Sequence, residues 1–307
     1  MTGRNRFQLS AILSERDHEE SAHILSEMSD KLAYPSAILV TDRFKEVRDQ
    51  LLELLEGLSP EDWSRSTAAT LWSVKDVALH LLGGDIGNLS RRRDQFRPDT
   101  KPIADYRGLV AFINELNGDW VRAARRMSTP LLCDLLDFTG PHLAAYFASL
   151  DLFDLGEPVS WAGPDRAPVW FDVAREYTEQ WHHQQQIRDA TNRPPLYSPR
   201  LFAPVLDTFM RATPHTYRET EASEETVVDF EVTGAAGGRW FLQRQRNAWE
   251  LLVGTPLPPA ATLSISQDIA WRVFTKGIHP DHARSLTTIR GNAALAELFF
   301  RATAVLA

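Results

Sequence analysis

Apolar residues recur at helical spacing through the first two-thirds of the chain and at alternate positions in much of the remainder. Between Thr41 and Gly57, the residues Phe44, Val47, Leu51, Leu54 and Leu55 fall on one face, which predicts an amphipathic helix that Gly57 ends. Ser59-Pro60-Glu61-Asp62-Trp63 predicts a short capped turn. Ser73 is the predicted N-cap of a second helix, with Asp76 at its third position, close to a capping box. That helix runs through His80 to about Gln95 and stops before Pro98. A third covers Tyr106–Met127. Helical pieces are expected between Pro130 and Leu150, broken near Gly140-Pro141. Residues 156–169 are rich in Gly and Pro and predict a loop. A long helix over Trp170–Thr191 ends before Pro194-Pro195.

Residues 200–220 still read as helical, but then the pattern changes. Thr226–Val232 alternates as a half-buried strand does, and Ala235-Ala236-Gly237-Gly238 predicts a turn. Arg239–Arg244, Trp249–Val253, Ala261–Ser266 and Thr287–Arg290 predict further strands. Gln267–Phe274 and Ala293–Val305 return to helical spacing. The expected fold class is therefore α plus α+β: an extension over 1–36, a four-helix bundle over 37–196, and a small α+β domain over 197–307.

Composition narrows the function. Net charge is −8 over 307 residues, so the basic stripe of a nucleic-acid binder is not expected. Arg91-Arg92-Arg93 is followed at once by Asp94 and reads as the solvated end of a helix rather than a phosphate site. Cys133 is the single cysteine, which excludes an intrachain disulfide and fits a reducing cytoplasm, the expected location. In its apolar surroundings it reads as a core thiol, not a nucleophile. Residues 1–30 mix charges and lack the apolar stretch of a secretory leader. No run reaches the roughly 18 apolar residues of a membrane span, so no membrane partner is expected.

The candidate chemistry lies at His80, Glu179 and His183. Glu179 and His183 are one helical turn apart and share a face. Imidazole and carboxylate suit a divalent cation of intermediate softness, zinc above all, with nickel, iron or manganese as alternatives. Three protein ligands leave a position open, as catalytic zinc sites do. Glu176, Glu179, His183 and Gln186 form a polar stripe that could simply face water, and His182 could compete with His183. Gly83, Gly84 and Gly87 near His80 either leave room for a ligand or a close helix approach, or kink the helix.

A resemblance sharpens the choice. The run Leu71-Trp-Ser-Val-Lys-Asp-Val-Ala-Leu-His80-Leu-Leu-Gly-Gly-Asp85 resembles the second-helix signature of the DinB-like superfamily, in the branch named for mycothiol-dependent maleylpyruvate isomerase. Ser160-Trp-Ala-Gly163 with Glu176-Tyr-Thr-Glu-Gln-Trp-His-His183-Gln-Gln-Gln-Ile-Arg-Asp-Ala190 resembles its fourth-helix signature. The resemblance spans roughly residues 38–193. It implies a four-helix bundle holding a divalent metal through His80, Glu179 and His183. Two positions depart from the family pattern: Gln180 stands where Arg often follows the ligand Glu, and Gln186 where Asp often follows the ligand His. Residues 264–277, Ala283 and Ile289–Leu295 are similar to the end of sterol-carrier-protein-like domains, which implies a sheet with helices and an apolar cavity or groove. Trp240, Trp249, Trp271, Phe299 and Phe300 read as core rather than ligand contacts.

The resemblance implies a metal-dependent transferase or isomerase that uses a low-molecular-weight, mycothiol-like thiol as cosubstrate against a small-molecule electrophile. The α+β domain would cap the cleft. Gln186, Asp76 and Gly84 are candidate substrate-binding positions, while Asp76, Asp85 and Glu176 are candidate general acids or bases. A zinc-dependent hydrolase and a non-enzymatic small-molecule or lipid binder with a vestigial metal site are the alternatives. A homodimer stays open, although no heptad seam is visible.

Overall fold

The computed structural model describes residues 33–305, apart from 97, 99–102, 104 and 256. Most of the expected extension over 1–36 thus lies outside the described residues. Its last part runs beside the sheet, where Ala33 exchanges hydrogen bonds with Val253 and Gly254.

Helix α1 (Phe44–Glu56) buries Phe44, Val47, Leu51, Leu54 and Leu55, the predicted face. Helix α2 (Val74–Gly87) begins at a full capping box between Ser73 and Asp76 and continues as a π-helical turn over Asn88–Arg93. It passes through Gly83-Gly84 without ending. Helix α3 (Tyr106–Ala124) lies along α2, and α4 (Thr129–Ala148) packs against α1 and α2. The chain then forms a two-stranded antiparallel ribbon, β1 (Leu155–Pro158) with β2 (Arg166–Pro168), where the Gly/Pro content predicted a loop. Helix α5 (Val169–Ala190) completes the bundle against α1 and α2.

The expected break near Gly140-Pro141 is absent, and α4 is continuous. Pro141 sits on the exposed side, where water can take the carbonyl it leaves unpaired. Gly140 is buried because Arg48 occupies the place of its side chain: a Cβ there would lie 2.9 Å from Arg48 Cγ.

Two helices, α6 (Pro199–Met210) and α7 (Thr213–Tyr217), lead into a five-stranded sheet. Its strands are β3 (Val227–Thr233), β4 (Gly238–Arg244), β5 (Trp249–Leu252), β6 (Ala261–Ser266) and β7 (Thr288–Gly291), in the order β5-β4-β3-β6-β7. All neighbours are antiparallel except β3 and β6. The β3–β4 turn needs Gly237, since a Cβ there would lie 2.0 Å from the Val232 carbonyl oxygen. Helices α8 (Gln267–Phe274), α9 (Pro280–Ser285) and α10 (Ala293–Glu297) complete the part; α10 passes into a 3-10 turn over Leu298–Arg301 rather than running on to Val305.

Large aromatic side chains form the core between the sheet and its helices. Tyr217, Phe230, Trp271, Phe274 and Phe299 are fully buried and stack against one another or their neighbours. Trp240, Trp249 and Phe300 are buried as well, so the predicted core aromatics are core. One continuous apolar cluster runs from Phe44 and Tyr177 in the bundle through Phe202 to Phe230 and Trp271 in the sheet part. A second, inside the bundle, joins Leu51, Leu55, Val77, Leu81, Leu132, Leu136 and Ile187. Among the described residues no helix is long and apolar enough to cross a membrane.

Candidate metal centre

Helices α2 and α5 bring His80, Glu179 and His183 together. One ligand atom from each lies within 4.8 Å of the other two. His183 Nε2 is 3.3 Å from Glu179 Oε2, and the His80 and His183 rings meet edge to face at 4.6 Å between centroids. The polar stripe on α5 therefore faces α2, not water: His183 and Gln186 are buried, and Glu179 is 27% exposed through the mouth of the site.

Hydrogen bonding sets the ring orientation. His183 Nδ1 lies 2.9 Å from Gln186 Oε1, an acceptor, and Nε2 on the other side of the ring faces Glu179. Burial, reinforced by the nearby His183, pushes His80 down to about 3, so at neutral pH its imidazole adds a lone pair to the cluster. Burial pushes the Glu179 carboxyl up, but the His183 contact, the neighbouring imidazoles and the Arg175 guanidinium outweigh it and hold the group ionised. Neutral imidazole and carboxylate are the forms that ligate metals, so the donor set fits a divalent cation.

His182 lies outside this group. Its Nδ1 donates to the Thr178 carbonyl at 3.0 Å, while its ring stacks on His183 at 3.9 Å. Trp72 packs on the other side of His80, 4.8 Å between centroids.

The two glycines beside His80 separate into two roles. A Cβ on Gly83 would lie 2.5 Å from Trp120 Cδ1, so Gly83 admits the α3 tryptophan, whose Nε1 donates to the Leu79 carbonyl at 2.7 Å. Gly84 is exposed, and nothing lies within 4 Å of where its Cβ would be, which leaves open space one turn from His80.

Other candidates are spoken for. Asp76 caps α2 through Ser73 and takes two hydrogen bonds from Arg125, at 2.8 and 3.0 Å. Asp85 is fully buried in an ion pair with Arg48 at 2.7 Å. Glu176 accepts from Asn88 Nδ2 at 3.1 Å and from Arg175. Arg92 turns inward to Asp172 and Glu176 rather than standing wholly in solvent, whereas Arg93 pairs with Asp94. Cys133 is half-buried, and burial pushes its thiol up.

The sheet part does not cap the site. It packs on the opposite face of α5, where Trp181 stacks on Phe202 at 4.3 Å and donates to the Leu196 carbonyl, and Tyr177 donates to the Leu201 carbonyl.

Sequence reasoning missed Arg48 and Thr139, which join Asp85 and Gln180 in one buried cluster. Arg48 donates to both Asp85 oxygens and, at 3.1 Å, to Gln180 Oε1. The positive charge missing from position 180 thus arrives from α1. The available signal was phase: Arg48 falls on the same helical face as Phe44, Leu51 and Leu55.

Helices enclosing a two-histidine, one-glutamate cluster define the class, a helical bundle with a metal-competent centre between two of its helices. Residues 44–188 match the family described as Mycothiol maleylpyruvate isomerase N-terminal domain. No curated protein matches the chain. Among solved structures, the crystal structure of mycothiol-dependent maleylpyruvate isomerase is 10% identical, over 76% of this chain and 86% of that one, with a TM-score of 0.47. The sterol carrier protein domain 2 of Helicoverpa armigera is 18% identical over 33% of this chain and 84% of its own, at a TM-score of 0.25. Apo sterol carrier protein 2 from Yarrowia lipolytica is 15% identical over 44% and 90%, at 0.21.

Proposed function

We propose that this protein binds a divalent metal ion, zinc foremost, at His80, Glu179 and His183, and acts as a thiol-dependent isomerase or transferase on a small electrophile. The observation that carries the reading is the cluster of three metal-competent atoms within 4.8 Å, in a bundle whose sequence matches the mycothiol maleylpyruvate isomerase N-terminal domain family. A bound cation of this kind supplies Lewis acidity that favours the thiolate over the thiol, and the thiolate is the nucleophile.

The chain's own residues account for the rest. His80 offers a neutral nitrogen and Glu179 an ionised oxygen. Gln186 partners His183 Nδ1 on the side of the ring away from Glu179, so Nε2 is the nitrogen placed to ligate. The open space at Gly84 gives a cosubstrate access beside His80. Asn88 and Arg175 hold Glu176 one turn from Glu179.

The test is turnover of maleylpyruvate by zinc-loaded protein, with and without mycothiol. The reading expects loss of substrate only when the thiol is present. Turnover that needs no thiol would assign a hydrolase instead, and no turnover with any of several low-molecular-weight thiols and electrophiles would overturn the thiol-dependent reading.

A further inference from the structure

Four of the bundle helices each contribute one polar side chain to a buried cluster: Arg48 from α1, Asp85 from α2, Thr139 from α4 and Gln180 from α5. Each is 6% exposed or less. Asp85 accepts from Arg48 at 2.7 and 2.8 Å, from Thr139 Oγ1 at 2.6 Å and from Gln180 Nε2 at 3.1 Å. Nothing in folding demands this arrangement, because apolar residues of similar volume commonly serve a core as well as a buried ion pair does. Nor is the pair optimised for stability: Arg48 Nη1 has no hydrogen-bond partner among the described residues. Yet α4 carries glycine at position 140, unfavourable in a helix interior, where a side chain would strike Arg48 Cγ, Cδ and Nε.

The cluster's place in the chain points to its role. Asp85 is five residues beyond His80 on α2, and Gln180 directly follows Glu179 on α5. A rotation or slide of either helix that moved a ligand would therefore strain the Asp85–Gln180 hydrogen bond. Apolar packing has no such direction and would tolerate small slides. We infer that the Arg48–Asp85–Thr139–Gln180 cluster is a positioning device that fixes α2 against α5 and so aims His80 at Glu179 and His183. Arg48 and Asp85 are positioning residues, since neither belongs to the ligand cluster. The inference rests on the metal-binding reading above.

The double variant Arg48→Met/Asp85→Leu tests it, because it removes both charges together and leaves no buried charge unpaired. Zinc affinity is read by chelator competition, cobalt coordination by the visible absorption of the Co(II)-loaded protein, and fold stability by melting of the metal-free form. The expected result is zinc affinity lowered about tenfold and an altered cobalt spectrum, with the metal-free form still melting cooperatively. A merely structural role predicts a lower melting temperature with unchanged affinity and spectrum, and that result overturns the inference. Should the double variant not fold, Gln180→Leu keeps the ion pair while cutting the link to α5; it too must weaken zinc binding, and unchanged binding refutes the proposal. Wild type that takes up no cation refutes the metal-binding reading itself, and the positioning role falls with it.

Discussion

Gly83 and Gly84 offer a controlled comparison, because alanine at either position gains the same intrinsic helix propensity, roughly 1 kcal/mol. At Gly84 the new methyl meets nothing within 4 Å, so Gly84→Ala should stabilise the protein by about 0.5–1 kcal/mol. At Gly83 the methyl would sit 2.5 Å from Trp120 Cδ1 and 2.6 Å from Nε1. An indole ring is rigid, so the ring must move, and with it goes the 2.7 Å hydrogen bond to Leu79. Overpacking costs about 1–3 kcal/mol and the lost hydrogen bond about 1, against the propensity gain of about 1. The net for Gly83→Ala is a destabilisation of roughly 1–3 kcal/mol, opposite in sign to its neighbour. Urea denaturation followed by circular dichroism measures both, with equal m values as the check that the midpoints report stability. Adding Trp120→Leu should erase most of the Gly83→Ala penalty, since the two residues are in direct contact. Equal effects at the two glycines, or a stabilising Gly83→Ala, would refute the assignment of close approach to one and open space to the other.

Two further outcomes follow from the site's surroundings. Gln186→Leu removes the hydrogen-bond partner of His183 Nδ1, so zinc affinity should fall about 10–100-fold with little change in fold stability, as calorimetric titration and melting curves would show. Burial pushes the Asp172 carboxyl up, but Arg175 and Arg92 beside it outweigh burial and hold it below the usual carboxylate range. A folded pKa below the unfolded one gives stability that is present above about pH 4 and lost as pH falls further, so Asp172→Asn should be less stable than wild type by on the order of 1–2 kcal/mol at pH 7 and nearly equal to it near pH 2. A gap that stays constant between those pH values in urea titrations would contradict this.

Periodic burial made much of this architecture legible in the sequence. The face of α1, the approximate extents of α2 and α5, the Ser73 cap and the strands β3 to β7 follow from local spacing, and Glu179 and His183 share a face for the same reason. The family match was readable from the residues around His80 and His183. What depended on tertiary packing was not. Whether the α5 stripe met water or another helix could not be read from α5 alone. The continuity of α4 through Gly140-Pro141 required knowing that Arg48 fills the glycine's side and solvent the proline's. The buried polar cluster escaped notice because its members lie far apart in sequence. The expected capping of the cleft by the α+β part failed because Tyr177 and Trp181, on the far side of α5 from Glu179 and His183, recruit that part instead.

The central claim is that His80, Glu179 and His183 form a metal centre. Elemental mass spectrometry of wild type and of His183→Ala, both purified without a metal-affinity tag, tests it most directly. Near-stoichiometric divalent metal in wild type that disappears in the variant is the predicted result. Metal retained in the variant, or wild type that is metal-free and takes up neither zinc, nickel, iron nor manganese on addition, would contradict the claim.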